Sequence, residues 1–334
     1  MSTPVPVTLV TGFLGAGKTT LLNHLLRAEA ARRFVIIENE YGDLGLDGDL
    51  LGTEGDLLFE LTDGCVCCSV RDDFLEVLDG LVERAGTFDH VVIETTGLAS
   101  PGPVMRAFDR PSTRGVLELA GVVAVVDASQ LEESLDDSDT CAEQIACADL
   151  LVVNKVDRVS EATLARTRRR LADMNPLATV TCTTHGKADP SVVLAGYGRV
   201  LSHTHDAHSH AHHDHGHGHD HGEPEPYVDD HTHDEQIQSV SVEAEGVVDI
   251  EALDLWLGQI VRRRERQMLR MKGIIATEGG GRFVFHAVRR TIDVRPVDAE
   301  SGPANMNRVV FIGRNLEPDA LRAGFAACME AQAT

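Results

Sequence analysis

The run Gly12-Phe13-Leu14-Gly15-Ala16-Gly17-Lys18-Thr19-Thr20 has the spacing G-x-x-x-x-G-K-S/T, with an apolar stretch before it and a helical pattern after it. Glycines at those spacings let the backbone of Gly12 to Gly17 curl into a nest of N–H groups for phosphate oxygens. The start of the next helix, at Thr19-Thr20, adds the positive end of its dipole. Lys18 has the reach for β- and γ-phosphates, and the Thr19 hydroxyl is a Mg²⁺ ligand of the kind such loops use. Downstream, Asn154-Lys155-Val156-Asp157 follows an apolar strand pattern, with 142 positions from Gly12 to Asn154. A carboxylate at Asp157 accepts hydrogen bonds from N1–H and the exocyclic amine of guanine. Adenine offers neither in that arrangement, a discrimination of roughly 1–3 kcal/mol or more. GTP and GDP are therefore the expected nucleotides, with Asn154 beside the site and Lys155 along the base or the phosphate loop. Glu94 ends a buried strand pattern and is placed to hold Mg²⁺, while Gly97 can present its N–H to a γ-phosphate. No Gln obviously orients a water and no Arg is obviously a finger, so slow hydrolysis suited to a switch is expected from Lys18, Thr19, Glu94 and Gly97.

A second cluster is Gly64-Cys65-Val66-Cys67-Cys68, followed by Ser69 as a helix N-cap. Thiols at a helix start ionise more readily, and the thiolate is the metal-binding form. Cys65, Cys67 and Cys68 supply two or three ligands for Zn²⁺ or a similar cation, with a fourth available from Glu38-Asn39-Glu40-Tyr41-Gly42-Asp43. Redox chemistry and inert packing are the rival uses. Cys141, Cys147, Cys182 and Cys328 read as core residues. A third cluster lies between His203 and Glu235, which holds 12 of the 16 histidines. It suits loose capture of a divalent metal, or serves only as a hydrophilic spacer.

Elements must position these groups. Near-continuous apolar runs at Val5–Val10, Phe34–Ile37, Leu57–Leu61, Val91–Ile93, Val122–Val126, Leu150–Val153 and Ala178–Cys182 read as strands buried on both faces. Helical patterns at Thr20–Ala31, Arg71–Arg84 and Glu161–Met174 lie between them. That alternation is α/β, a mostly parallel sheet flanked by helices. The expected layout is a nucleotide domain over 1–200, a flexible linker over 201–235 and a smaller α+β domain over 236–334. In the last, Gln236–Glu243, Met268–Ala276, Phe283–Val288 and Val309–Ile312 read as strands, and Ile250–Val261 and Asp319–Ala331 as helices. Arg262, Arg263, Arg264, Arg266 and Arg270 form a basic patch, read as a solvated helix end or a docking surface for acidic partners.

The 334 residues carry 30 Lys and Arg against 53 Asp and Glu, a formal charge of −23. A chain so acidic lacks the basic face that nucleic acid or anionic lipid demands. The charge is concentrated: 13 acids and one base fall between Glu38 and Asp79, and nine acids with no Lys or Arg between His203 and Glu235. Both stretches coincide with the thiols or the imidazoles, as a cation-attracting field would, although a solvated acidic face needs no ligand. Seven cysteines, three of them within four positions, are not a disulfide framework. No apolar run is long enough to span a bilayer and no leader is visible, so a cytoplasmic location is expected.

With these residues assembled, the chain resembles the CobW-like metallochaperone P-loop GTPases, through TGFLGAGKTTLLNHLL, IENEYGDLGLD, GCVCC, IETTGLASPGPV, VVDA, NKVD, the His-rich tract, RMKGI and VVFIGR. The resemblance implies that GTP binding orders Cys65, Cys67 and Cys68 into a metal site, with Glu38 and Glu40 as nearby carboxylates and Asp43 as a switch acid. It further implies that hydrolysis is coupled to handing the metal to a client metalloprotein. Zinc is the first metal expected and cobalt, in service of cobalamin synthesis, the second. A homodimer is left open. The rivals are a His-rich metal buffer, which needs no intact phosphate loop, and a P-loop kinase, which ignores the thiols.

Overall fold

The computed structural model describes residues 3–38, 57–60, 72–195, 237–263, 267–288, 291–297 and 305–330. Among them, seven strands make one parallel sheet in the order β3-β2-β4-β1-β5-β6-β7. They are β1 (Val5–Thr11), β2 (Phe34–Glu38), β3 (Leu57–Glu60), β4 (His90–Glu94), β5 (Leu117–Asp127), β6 (Leu150–Asn154) and β7 (Thr179–Cys182). Val7, Leu9, Val35, Ile37, Val91, Val122, Val152 and Val153 are all fully buried, as expected of strands covered on both faces.

Helix α1 (Lys18–Ala28) lays Leu21, Leu22, Leu25 and Leu26 on one side of the sheet, and α2 (Asp72–Glu83) lays Phe74, Leu78 and Leu81 on the other. A short helix, α3 (Gly102–Arg106), adds Val104 to the second layer. Helices α4 (Leu131–Asp137) and α5 (Asp139–Cys147) lie between β5 and β6, in a stretch where the acidic run Glu132-Glu133-Ser134-Leu135-Asp136-Asp137 hides the helical period. Helix α6 (Glu161–Met174) is capped by the Ser160 hydroxyl, which accepts from Thr163 N at 3.1 Å. A last short helix, α7 (Pro190–Val193), closes this part of the chain.

The remaining strands form an antiparallel sheet of order β11-β10-β9-β12-β8: β8 (Ile237–Glu245), β9 (Met268–Ala276), β10 (Arg282–Val288), β11 (Thr291–Val297) and β12 (Met306–Arg314). The sequence patterns gave four of these. β11 was hidden by its charges and by Pro296, which a sheet tolerates at the edge position that β11 holds. Two helices, α8 (Ile250–Arg263) and α9 (Pro318–Glu330), cover one face, meeting Val309 and Phe311 of β12. The alternate residues Val310 and Ile312 point the other way. With Ile237 and Leu269 they join a core that includes Ala142, Ile145 and Ala146 of α5 and Leu171 and Met174 of α6. The second sheet is thus packed on the first part of the chain through a shared apolar core. No helix among the described residues is long and apolar enough to cross a membrane.

Candidate nucleotide and metal site

The carboxyl ends of β1, β4, β2 and β6 converge, and each carries a residue singled out above. Beyond β1 the loop turns through Gly12, Gly15 and Gly17 at φ of 140°, 70° and 105°. These backbone angles are open to glycine at little cost. At Gly12 a Cβ would also press into the Val125 backbone of β5. Helix α1 starts directly afterwards, at Lys18, two residues before the expected start. Lys18 is buried, and its ammonium donates to Gly12 O at 2.9 Å and Phe13 O at 3.4 Å. Burial lowers its pKa, and the Glu94 carboxylate partly offsets that. Thr20, two positions on, is exposed, and Ala16 is buried.

The parallel register sets Glu94 opposite Val10, at the mouth of the loop. Thr19 Oγ1 donates to Glu94 Oε1 at 3.0 Å. One strand further out Glu38 is in register with Glu94, and beyond it Glu60 is in register with Glu38. Glu38 is buried. Gly97 follows β4 and lies flush on Leu14, where a Cβ would meet the Leu14 backbone. The turn around it is fixed from several sides. Thr95 N donates to Val10 O at 3.0 Å, Thr95 Oγ1 to Thr11 Oγ1 at 3.1 Å, and Ala99 N to Thr96 O at 3.1 Å. Gln144 Nε2 donates to both Gly97 O and Ala99 O, at 3.1 and 3.0 Å.

At the other end, Asn154 is buried and works as a brace. Its Nδ2 donates to Ala16 O at 3.0 Å, and its Oδ1 accepts from Gly186 N at 3.0 Å. It ties the phosphate loop to the loop after β7, where His185 and Gly186 adopt φ of 54° and 64°. Lys155, itself at φ 59°, does not lie on the phosphate loop: its ammonium is 2.7 Å from Asp127 Oδ2. Asp127 ends β5 beside β6, so the pair is a product of sheet register. Burial works to raise the Asp127 carboxyl, but Lys155 and the Ser129 hydroxyl and N–H outweigh it and hold it below the usual range. Asp157 stands exposed in the turn after β6.

Cys65, Cys67, Cys68, Glu40, Asp43, the proposed cap Ser69 and the His-rich tract lie outside the described residues. Among the described residues no three His, Cys, Asp or Glu side chains gather into a metal-sized group. Cys141, Cys147 and Cys328 are buried as expected, whereas Cys182 is exposed because β7 is the sheet edge. Arg270 corrects the reading of a solvated basic patch. It is buried, donates to Cys147 O and pairs with Asp149 at the junction of the two sheets. Arg262 is exposed, and Arg264 and Arg266 lie outside the described residues. Asp127, Gln144, Asp149 and Arg314 were not foreseen. Asp127, within VVDA, and Arg314, at the end of VVFIGR, carried a signal in those motifs, and Gln144 and Asp149 carried none.

Comparison with known proteins places this geometry. The family model for the CobW/HypB/UreG nucleotide-binding domain matches residues 6–182, and that for the cobalamin synthesis protein cobW C-terminal domain matches 237–329. The zinc chaperone YjiA of Escherichia coli K12 is 33% identical over 97% of this chain and 98% of its own. The zinc chaperone CobW of a Sinorhizobium species is 33% identical over 97% of each. The crystal structure of Zn(II)-bound YjiA GTPase superposes with a TM-score of 0.72 at 28% identity, covering 98% of this chain and 99% of the other. The chain therefore belongs to the CobW/HypB/UreG family of P-loop GTPases, with the CobW C-terminal domain appended.

Proposed function

We propose that the chain is a GTP-hydrolysing metallochaperone that binds zinc at Cys65, Cys67 and Cys68, with Glu38, Glu40 and Asp43 as the carboxylates nearby, and passes it to a client protein. The observation that carries this reading is the register of Glu38 with Glu94. β2, which ends at Glu38, lies between β4, which ends at the nucleotide site, and β3, which the thiol-bearing segment follows in the sequence, so a change at the end of one strand is felt along the row. The zinc named in its relatives, YjiA and CobW, supports the choice of metal.

Thr19 and Glu94 offer a hydroxyl and a carboxylate, the hard oxygen donors that Mg²⁺ takes, and they are the residues to hold it. Bound there, Mg²⁺ neutralises charge on the β- and γ-phosphates. The chain's own groups do the rest. The amides of Gly15 to Thr19 cradle phosphate, and Lys18 exchanges the carbonyls of Gly12 and Phe13 for phosphate oxygens. Gly97 offers its N–H to the γ-phosphate, and Asp157 reads guanine while Asn154 holds the phosphate loop to the base-side loop.

The test is Zn²⁺ and Co²⁺ affinity by competition, for the full chain and for a chain lacking residues 203–233, with no nucleotide, GDP, or a non-hydrolysable GTP analogue with Mg²⁺. The analogue is expected to tighten zinc at least ten-fold, about 1.4 kcal/mol of coupling, in both chains. Cys67→Ala is expected to remove that gain. Equal affinity in every nucleotide state would sink the chaperone mechanism, and loss of zinc binding only on deleting 203–233 would favour a buffer.

A further inference from the structure

Gln144 is 1% exposed in the middle of α5, yet its neighbours Cys141, Ala142, Ile145, Ala146 and Cys147 are buried apolar residues. An apolar side chain would pack in that setting without desolvating a carboxamide. Gln144 instead spends both amide hydrogens on one turn, the carbonyls of Gly97 and Ala99. Its Oε1 is buried with no hydrogen-bond partner among the described residues. The side chain also lines a small cleft with Gly12, Phe13 and Ala16 of the phosphate loop. A buried carboxamide aimed at the switch turn and bordering the phosphate loop is placed to set where the Gly97 N–H points.

The helix carrying it is held at both ends by the second sheet. Arg314, the last residue of β12, pairs with Asp139 at 2.7 Å, at the start of α5. Arg270 of β9 donates to Cys147 O at its end and pairs with Asp149 just beyond. Between these clamps, Ala142, Ile145 and Ala146 share a core with Leu269, Val310 and Ile312 of that sheet.

We propose that Gln144 is a positioning residue for GTP hydrolysis, and that α5, clamped by Arg314 and Arg270, transmits the position of the 97–99 turn to the C-terminal domain. This rests on the GTPase reading above. When a γ-phosphate draws the Gly97 N–H toward it, the carbonyls of 97 and 99 turn with the same backbone, and the Gln144 amide follows. Because α5 is fixed to the second sheet, the displacement is shared with that sheet. Binding linkage is reciprocal, so the C-terminal domain in turn biases the turn. A domain that senses the nucleotide through its clamp is suited to engage a client in one nucleotide state and release it in the other.

The experiment uses the full chain and three variants. Gln144→Met keeps volume and removes the amide, Arg314→Gln loosens one clamp, and Arg308→Gln, on the same strand as Arg314, removes an exposed ion pair with Glu243 of β8. Phosphate release from GTP with Mg²⁺, GDP affinity, and the emission of Trp256 are measured. Trp256 is the only tryptophan, and it lies against Phe311 and Phe325 in the C-terminal domain. Gln144→Met is expected to lower kcat ten-fold or more with KM for GTP within three-fold and GDP affinity unchanged. It is also expected to abolish the Trp256 change between GDP and a non-hydrolysable GTP analogue. Arg314→Gln is expected to change kcat three-fold or more, and Arg308→Gln to change nothing. Wild-type kcat in Gln144→Met, with only a lower melting temperature, would make Gln144 a packing residue and overturn the proposal. Wild-type kcat and emission in Arg314→Gln would overturn the lever, including where Gln144→Met fails to bind GDP. A wild-type chain that releases no phosphate from GTP would refute the GTPase reading itself.

Discussion

Of the three polar residues of the N-K-x-D turn, Asp157 is the exposed one, while Asn154 and Lys155 are committed to Ala16, Gly186 and Asp127. In the proposed function, nucleotide choice falls on its carboxylate. Asp157→Asn replaces an acceptor with a group that also donates. GTP affinity is expected to fall about 100-fold, on the order of the loss for an unpaired polar contact. Xanthosine triphosphate, whose ring carries a carbonyl where guanine has its amine, is expected to bind the variant better than the wild type. Competition against a labelled guanine nucleotide measures both. No change in the preference would move base reading to another residue.

At the scale of elements, the pairing of β1 with β4 does more than bring Glu94 to the phosphate loop. It also buries His90, whose Nε2 is 2.8 Å from Thr8 Oγ1 and whose ring is tilted on Phe34. Burial, with the nearby Arg32 charge, pushes its pKa down to about 4. The unfolded chain takes up that proton near the ordinary value of about 6.5, and the folded chain does so only near the lower one. Below the ordinary value the unfolded state binds more protons, so stability is full at neutral pH and falls as the pH drops toward about 4. The loss is on the order of 3 kcal/mol. Denaturant midpoints taken between neutrality and about pH 4.5 should fall more steeply for the wild type than for His90→Asn; parallel curves would mean the imidazole is not held neutral.

At the scale of the whole molecule, the two sheets are joined by an apolar core and by a buried ionic cluster. Arg270 and Lys272 both face Asp149, Lys272 at 3.8 Å, and Asp149 also accepts from Val122 N at 3.0 Å. Burial and the Arg270 charge depress the Lys272 ammonium while Asp149 raises it, with burial the largest effect. Removing one member leaves charges buried without their partners. Arg270→Ala is expected to cost about 3–5 kcal/mol. Calorimetry should show the single transition broaden or split as the C-terminal sheet loses its hold on α5. A midpoint unchanged from wild type would show that the apolar core alone joins the sheets.

Much of this protein was written in local pattern. The phosphate loop, the N-K-x-D turn and the apolar runs of β1, β2, β4 and β6 are properties of adjacent residues, and burial on both faces makes such strands legible one at a time. The turn glycines announce backbone angles that other residues reach only under strain. What stayed hidden depends on pairs distant in sequence. Lys155 meets Asp127 because β6 lies beside β5, and Gln144 meets Gly97 because the turn after β4 folds against α5. Arg270 looked like surface charge because nothing nearby in the chain reveals that Asp149 awaits it 121 residues away. The sequence by itself determined the nucleotide chemistry, since a phosphate loop is a local fold. Only the tertiary structure decided how that chemistry is joined to the second domain, because a contact between distant strands and helices is set by packing and leaves no mark in the spacing of neighbours.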